Sequence, residues 1–190
     1  MAILQIIIAS TRPGRKGPAV ATWFEQRARA HGTFDVEMVD LAAVALPLFD
    51  EPEHPARRKY QHDHTRAWSE TVARGDAYVM VTPEYNHATP PSLLNAIDYL
   101  VLEWAYKPVG LVSYGGISAG LRSVQSLKPV LSGLKMVPIT EAVAIPLFTS
   151  RIDANGVFAS DEKMDAAAAL MLDEIARWEA ALRTLRKPLP

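Results

Sequence analysis

"VTPEYNHATPPSLLNAIDYL" (residues 81–100) starts as the end of an apolar strand, turns polar and aromatic at Glu84, Tyr85, Asn86 and His87, and enters an amphipathic helix through Pro90 and Pro91. Pro83 ends the strand. The two prolines cost the helix little, because N–H groups of a first turn have no intrahelical acceptor anyway. Thr89 stands where a hydroxyl can cap that helix. A strand that hands over to a helix belongs to a crossover unit, and crossovers build parallel sheets. A handover without a function has little need of four such side chains, so the same stretch points to the fold and to a site.

Working outward, apolar runs bounded by turn residues recur at 3–9, 76–82, 108–114 and 136–145. Residues 34–40, "FDVEMVD", add a fifth strand, whose alternating Phe34, Val36 and Met38 suggest an edge position. Helical spacing fills the gaps at 18–31, 64–75, 118–134 and 161–185, and Gly32 and Gly75 close the first two where a terminal glycine is expected. Alternating strands and helices predict a parallel sheet covered on both faces. Five strands in a chain of this length fit a flavodoxin-like three-layer α/β/α sandwich of strand order 2-1-3-4-5. Residues 42–63, with Pro47, Pro52 and Pro55, form one long irregular connection, which is either a lid over a site or an arm that packs on a partner.

The chain has 190 residues, 49% of them hydrophobic, which suits one domain over residues 1–190. Its 20 basic and 21 acidic residues nearly cancel, so the basic footprint of a nucleic-acid binder is missing. No apolar run reaches the roughly 18 to 20 residues of a membrane span. "MAILQIIIAS" has no basic region ahead of its apolar run and reads as a core strand, so the expected setting is cytoplasmic. With no cysteine, thiol catalysis, disulfides and Cys-ligated metals are excluded.

In a parallel sheet the loops leaving the carboxyl ends of the strands share one edge, where ligands bind. "STRPGRKG" (10–17) offers hydroxyls, two arginines, a lysine and glycines just before a helix, a combination suited to a phosphate. It has neither Walker A nor GxGxxG spacing, which disfavours a nucleoside triphosphate or a standard dinucleotide fold. "SYGGISAG" (113–120) lets backbone approach a flat ligand closely. A phosphate cradle beside a planar platform describes a mononucleotide with a flat ring system, and flavin mononucleotide (FMN) is the obvious candidate.

"IIIASTRPGRKGPAVA" (6–21), "VTPEYNHATPPSLLNAIDYL" (81–100) and "KPVGLVSYGGISAGLRS" (107–123) together resemble the NADPH-dependent FMN reductase family of small quinone, chromate and azo-dye reductases. The likeness runs from residue 3 to about 145. It implies non-covalent FMN, NADPH or NADH as co-substrate, and a dimer or tetramer with flavins near subunit interfaces. By the same resemblance Ser10, Arg12, Arg15 and the backbone about Gly17 hold the phosphate; Pro83, Glu84, Tyr85 and Asn86 line the ring and ribityl chain; and Ser113, Tyr114, Gly115 and Gly116 close the other side of the ring. Trp104 is expected to approach the partner's active site or to be buried in an interface, and His87 to contact nicotinamide or acceptor or to bond across its own loop. Ala9 and Leu94 depart from the family, which commonly has glycine and lysine there.

The flavin carries the redox step, so no side chain is assigned as catalytic acid or base. A hydride passed on by the flavin, with each partner leaving before the next arrives, implies ping-pong turnover to a small-molecule acceptor. His54, His62, Asp63 and His64 have the composition of metal ligands but fit no familiar spacing, and no metal is assigned. Leu93, Leu94, Ile97, Leu100 and Val101, extended by Trp104 and Tyr106, suggest a helix face for a dimer. An electron carrier of the flavodoxin type and a flavin-bound redox sensor remain alternatives. The near-neutral charge and the arginine-bearing loop favour the enzyme.

Overall fold

The computed structural model describes residues 1–186. In chain order its principal elements are β1 (Ala2–Ile8), α1 (Gly17–His31), β2 (Phe34–Asp40), α2 (Leu41–Val44), α3 (Asp63–Arg74), β3 (Ala77–Pro83), α4 (Pro91–Asp98), β4 (Pro108–Tyr114), α5 (Leu121–Gly133), β5 (Val137–Ile145) and α6 (Glu162–Leu182). The strands form one parallel sheet in the order β2-β1-β3-β4-β5, as expected, with β2 on an edge.

The period of two along each strand divides the core into two layers. Leu4, Ile6 and Ile8 of β1 and Val79 and Val81 of β3 meet Val20 and Phe24 of α1 and Leu172 and Ile175 of α6. The alternate residues Ile7, Tyr78 and Met80 meet Trp68 of α3, Leu93 and Ile97 of α4 and Leu127 of α5. Burial of both faces explains why β3 and β4 are apolar almost throughout and carry no alternation. The strand order reverses between the neighbours β1 and β3, which makes that point the topological switch. Among the described residues, no helix is long and apolar enough to cross a membrane.

Two expectations are corrected here. The helix that starts at Pro91 ends at Asp98, and Leu93, Ile97 and Leu100 are buried in the chain's own core, so of the expected face only Leu94, Val101 and Tyr106 stay partly exposed. Trp104 is also fully buried; its ring packs edge-on against Tyr78 (5.0 Å) and Trp68 (6.0 Å), and its indole N–H donates to the Ile97 carbonyl at 3.1 Å. It lies just ahead of β4, at the amino end of the sheet, away from the ligand edge.

The long connection packs on its own chain. Asn95 of α4 accepts from the Phe49 N–H and donates to the Pro47 carbonyl, while the Glu51 carboxylate takes the N–H groups of Gln61 and His62. Asp50 accepts from Tyr99 at 2.9 Å and bonds His64 at 3.0 Å. His62 stacks on His64, with ring centroids 5.1 Å apart.

Candidate functional site

The loops after β1, β3 and β4 converge at the carboxyl edge of the sheet. The first is stiffened by Arg15, whose guanidinium donates twice to Asp40 at 2.5 Å and once to the Ser10 carbonyl at 2.8 Å. That fork holds the Asp40 carboxyl below its usual range, outweighing burial. Asp40 was not readable as a partner from sequence spacing alone. It is brought there by parallel pairing, which sets Ile8 beside Asp40 at the ends of β1 and β2.

Arg15 therefore braces the loop, and the neighbouring Arg12 is the more available cation. Arg12 is exposed, has no ion pair among the described residues, and places its guanidinium carbon 6.0 Å from the Tyr85 ring centroid. It thus spans the gap between the first and middle loops. Helix α1 opens at Gly17 and Pro18 with no side-chain cap, which leaves N–H groups and the positive end of the helix dipole toward the loop. Beneath it lie the hydroxyls of Ser10 and Tyr114, both buried and both without a hydrogen-bond partner. Unpaired buried donors beside an uncommitted arginine and an uncapped helix fit an anion such as a phosphate.

The middle loop has an internal logic that its side-chain types conceal. Tyr85 and Ala88 pair through two backbone hydrogen bonds of 3.1 and 2.9 Å, and the two residues between them, Asn86 and His87, have φ of 48° and 66°. Positive φ at both central positions is the requirement of a type I′ turn, and Asn and His tolerate it better than most side chains. Both side chains are exposed. Thr89, placed by sequence as a cap for α4, bonds α5 instead, its hydroxyl donating to the Ser123 carbonyl and lying 2.8 Å from the Ser126 hydroxyl.

Glu84 ties the middle loop to the last one. Its carboxylate accepts from the Ser118 hydroxyl at 3.0 Å, from the Arg122 N–H at 3.1 Å and from the Arg122 guanidinium at 2.8 Å. Burial pushes this carboxyl up, but hydrogen bonds from Arg122 and Ser118 outweigh it and leave the pKa below the usual range. A depressed carboxylate stabilises above its unfolded pKa and loses that contribution as pH falls through the folded one, so the clip is complete at neutral pH. Ser118 and Arg122 were missed in the sequence because only the fold reveals that the loop entering α5 and the helix's first turn face Glu84.

On the other wall Ser113 donates to the Ala119 carbonyl at 2.9 Å, while Gly116 accepts from Ala119 and Leu147. Gly120, at φ 81°, lies so close to β4 that a side chain there would meet the Tyr114 backbone at 2.8 Å. Space beside Gly116 is open. The structure thus brings together Ser10, Arg12, Arg15, Gly17, Pro83, Glu84, Tyr85, Asn86, His87, Ser113, Tyr114, Gly115 and Gly116 at one edge, and leaves Trp104 out.

A doubly wound sheet that gathers two unpartnered buried hydroxyls, an exposed arginine and an uncapped helix start at its switch point has the architecture of mononucleotide-binding α/β proteins. Residues 1–150 match the family model "NADPH-dependent FMN reductase", and the chain belongs to that family. An NAD(P)H-dependent FMN reductase of Schizosaccharomyces pombe is 40% identical over 145 residues, covering 74% of this chain and 72% of the relative. A 2-hydroxy-1,4-benzoquinone reductase of a Burkholderia species is 30% identical over 159 residues, covering 78% and 81%. Among solved structures, the flavoenzyme NAD(P)H:(acceptor) oxidoreductase FerB of Paracoccus denitrificans shares the fold, with a TM-score of 0.73 at 18% identity, over 95% of this chain and 98% of that one. The chain is accordingly an FMN-dependent oxidoreductase that uses a nicotinamide nucleotide.

Proposed function

We propose that this protein passes two electrons from NADPH or NADH, by way of FMN, to flat or compact acceptors (quinones, free flavins, azo compounds and metal oxyanions), with the two half-reactions alternating in one slot. The observation that carries this is the joining of three loops into one site: Arg12 reaches from the anion loop over Tyr85, and Glu84 clips the Tyr85 loop to the glycine-rich one. FMN, when bound, supplies the hydride chemistry. The chain's own residues supply position. Ser10, Arg12 and the start of α1 at Gly17 hold the phosphate while Arg15 keeps their loop in shape. Pro83, Tyr85 and Asn86 on one side and Ser113, Gly115 and Gly116 on the other bound the ring, at a spacing that Glu84 sets. Exposed His87 faces the solvent side, where nicotinamide and acceptor exchange. The Burkholderia relative's name supports a quinone among the acceptors.

The test is a visible spectrum of the protein reconstituted with FMN, followed by anaerobic addition of NADPH or NADH. Bleaching of the bound flavin, and its return on adding a quinone, is the expected result. Bleaching by dithionite but by neither nucleotide would favour an electron carrier, and a protein that binds no FMN would overturn the reading.

Self-association is also proposed, through a surface other than α4. Ile117 (89% exposed), Leu121 (47%) and Leu147 (58%) form an apolar rim beside Gly116, and Leu147 bonds the Gly116 carbonyl at 3.0 Å. Pairing two such rims would cover the flavin slot. Sedimentation at micromolar concentration should show a dimer or tetramer that Ile117→Asp shifts toward monomer; a monomeric wild-type protein would refute this.

A further inference from the structure

Tyr114, which the family resemblance assigns to the flavin ring, ends β4 beside Pro83 of β3. Its side chain goes elsewhere. It belongs to the core layer of α1 and α6, with Ile8, Val20 and Phe24, and its ring packs edge-on against Phe148 at 4.8 Å. Its hydroxyl lies beneath the start of α1: a methyl group built on Gly17 would stand 2.3 Å from the Ser10 hydroxyl and 2.7 Å from that of Tyr114. The two oxygens are therefore within about 5 Å of each other. Both side chains are at most 2% exposed, and neither hydroxyl meets a partner in hydrogen-bond geometry.

We propose that Tyr114 is a positioning residue for the phosphate end of the cofactor, acting through Ser10, and not a wall of the ring. The inference rests on the FMN reading above. A phosphate offers only acceptors, so a serine that serves it must give up its single hydrogen and keeps lone pairs that want a donor. A phenol held beside Ser10 is that donor. It fixes which way the serine hydrogen points, and a chain of hydroxyls ending on an anion is mutually polarised. Burial is the main cause that pushes the Tyr114 phenol up, to about 12, so it remains protonated at physiological pH and keeps a hydrogen to donate. Arg12 and Arg15, both of the first loop, oppose that rise.

The measurement is the affinity of the apoprotein for FMN and for riboflavin, which lacks the phosphate, each followed by quenching of flavin fluorescence. Tyr114→Phe keeps the ring and its packing and removes one oxygen. It should weaken FMN binding about tenfold and leave riboflavin binding within about twofold, as expected for a lost bond to an anion-linked hydroxyl. Ser10→Ala should also lower the ratio, and the double variant Ser10→Ala/Tyr114→Phe should be no worse than Ser10→Ala. Equal loss for both flavins would return Tyr114 to the ring and overturn the proposal. So would no loss for either, or additive effects in the double variant. A wild-type protein that binds neither flavin would instead overturn the FMN reading itself, so the two failures are told apart. Near-UV circular dichroism establishes that the variants fold; should Tyr114→Phe not, the FMN-to-riboflavin ratio of Ser10→Ala decides, since an unchanged ratio there overturns the proposal as well.

Discussion

Gly17→Ala should cost the protein most of its hold on FMN while leaving a folded chain. Gly17 is buried at the first position of α1, and its backbone is ordinary helix, so no left-handed strain is involved. What forbids a side chain is space. A Cβ would lie 2.3 Å from the Ser10 hydroxyl, 2.7 Å from the Tyr114 hydroxyl and 3.2 Å from an Ile8 methyl. The serine can rotate, but the phenol is anchored against Phe148, so the helix start must lift away. Overpacking of this kind typically costs about 1 to 3 kcal/mol of stability. A displaced α1 also moves its free N–H groups from the anion site, and a loss of FMN affinity of about a hundredfold is expected, corresponding to about 2.8 kcal/mol. Gly133→Ala is the control, because nothing lies within 4 Å of a methyl at that α5 position, and a helical Gly→Ala change usually gains about 0.5 to 1 kcal/mol. Urea unfolding of the apoprotein and FMN titration separate the two effects. FMN affinity within twofold of wild type in Gly17→Ala would show that the phosphate does not sit at the start of α1.

The five strands and the edge position of β2 were legible because each depends on a local signal: apolar runs of strand length, glycines after helices, alternation in Phe34, Val36 and Met38; the strand order has no local signal and came from the match to a flavodoxin-like arrangement. That the three loops share an edge followed from the topology. The roles of individual side chains did not, and for identifiable reasons. Tyr114 lies on a strand buried on both faces, where period gives no hint of the layer a residue enters. Glu84 reads as a polar lining residue until α5 is seen opposite it. Asn86 and His87 read as chemistry, whereas their backbone conformation also demands residues that tolerate positive φ. Arg15 and Arg12 look equivalent in "STRPGRKG", and only the neighbouring end of β2 makes one a brace and leaves the other available.

Trp104→Ala should produce the largest loss of stability among these variants and no specific defect at the flavin. The apolar pattern from Leu93 through Leu100 and Val101 runs on into Trp104 with no glycine or proline to stop it, so a longer helix carrying Trp104 outward was the natural expectation. The chain instead leaves the helix after Asp98, and the turns that follow fold Trp104 back onto Tyr78 and Trp68. Removing a fully buried indole costs about 3 to 5 kcal/mol, from lost transfer energy and the cavity left behind. The Ile97 carbonyl loses its donor as well. Against a typical domain stability of about 5 to 15 kcal/mol this leaves a protein that is folded in the cold and unfolds at much lower urea concentration. Because binding of FMN would mask part of the loss by mass action, the comparison belongs in the apoprotein. In the folded fraction, FMN affinity and the KM for nicotinamide should match wild type, since Trp104 lies at the opposite end of the sheet from the three loops. A variant that keeps its stability within about 1 kcal/mol of wild type but shows a raised KM for the acceptor would place the indole at an active site and contradict its burial.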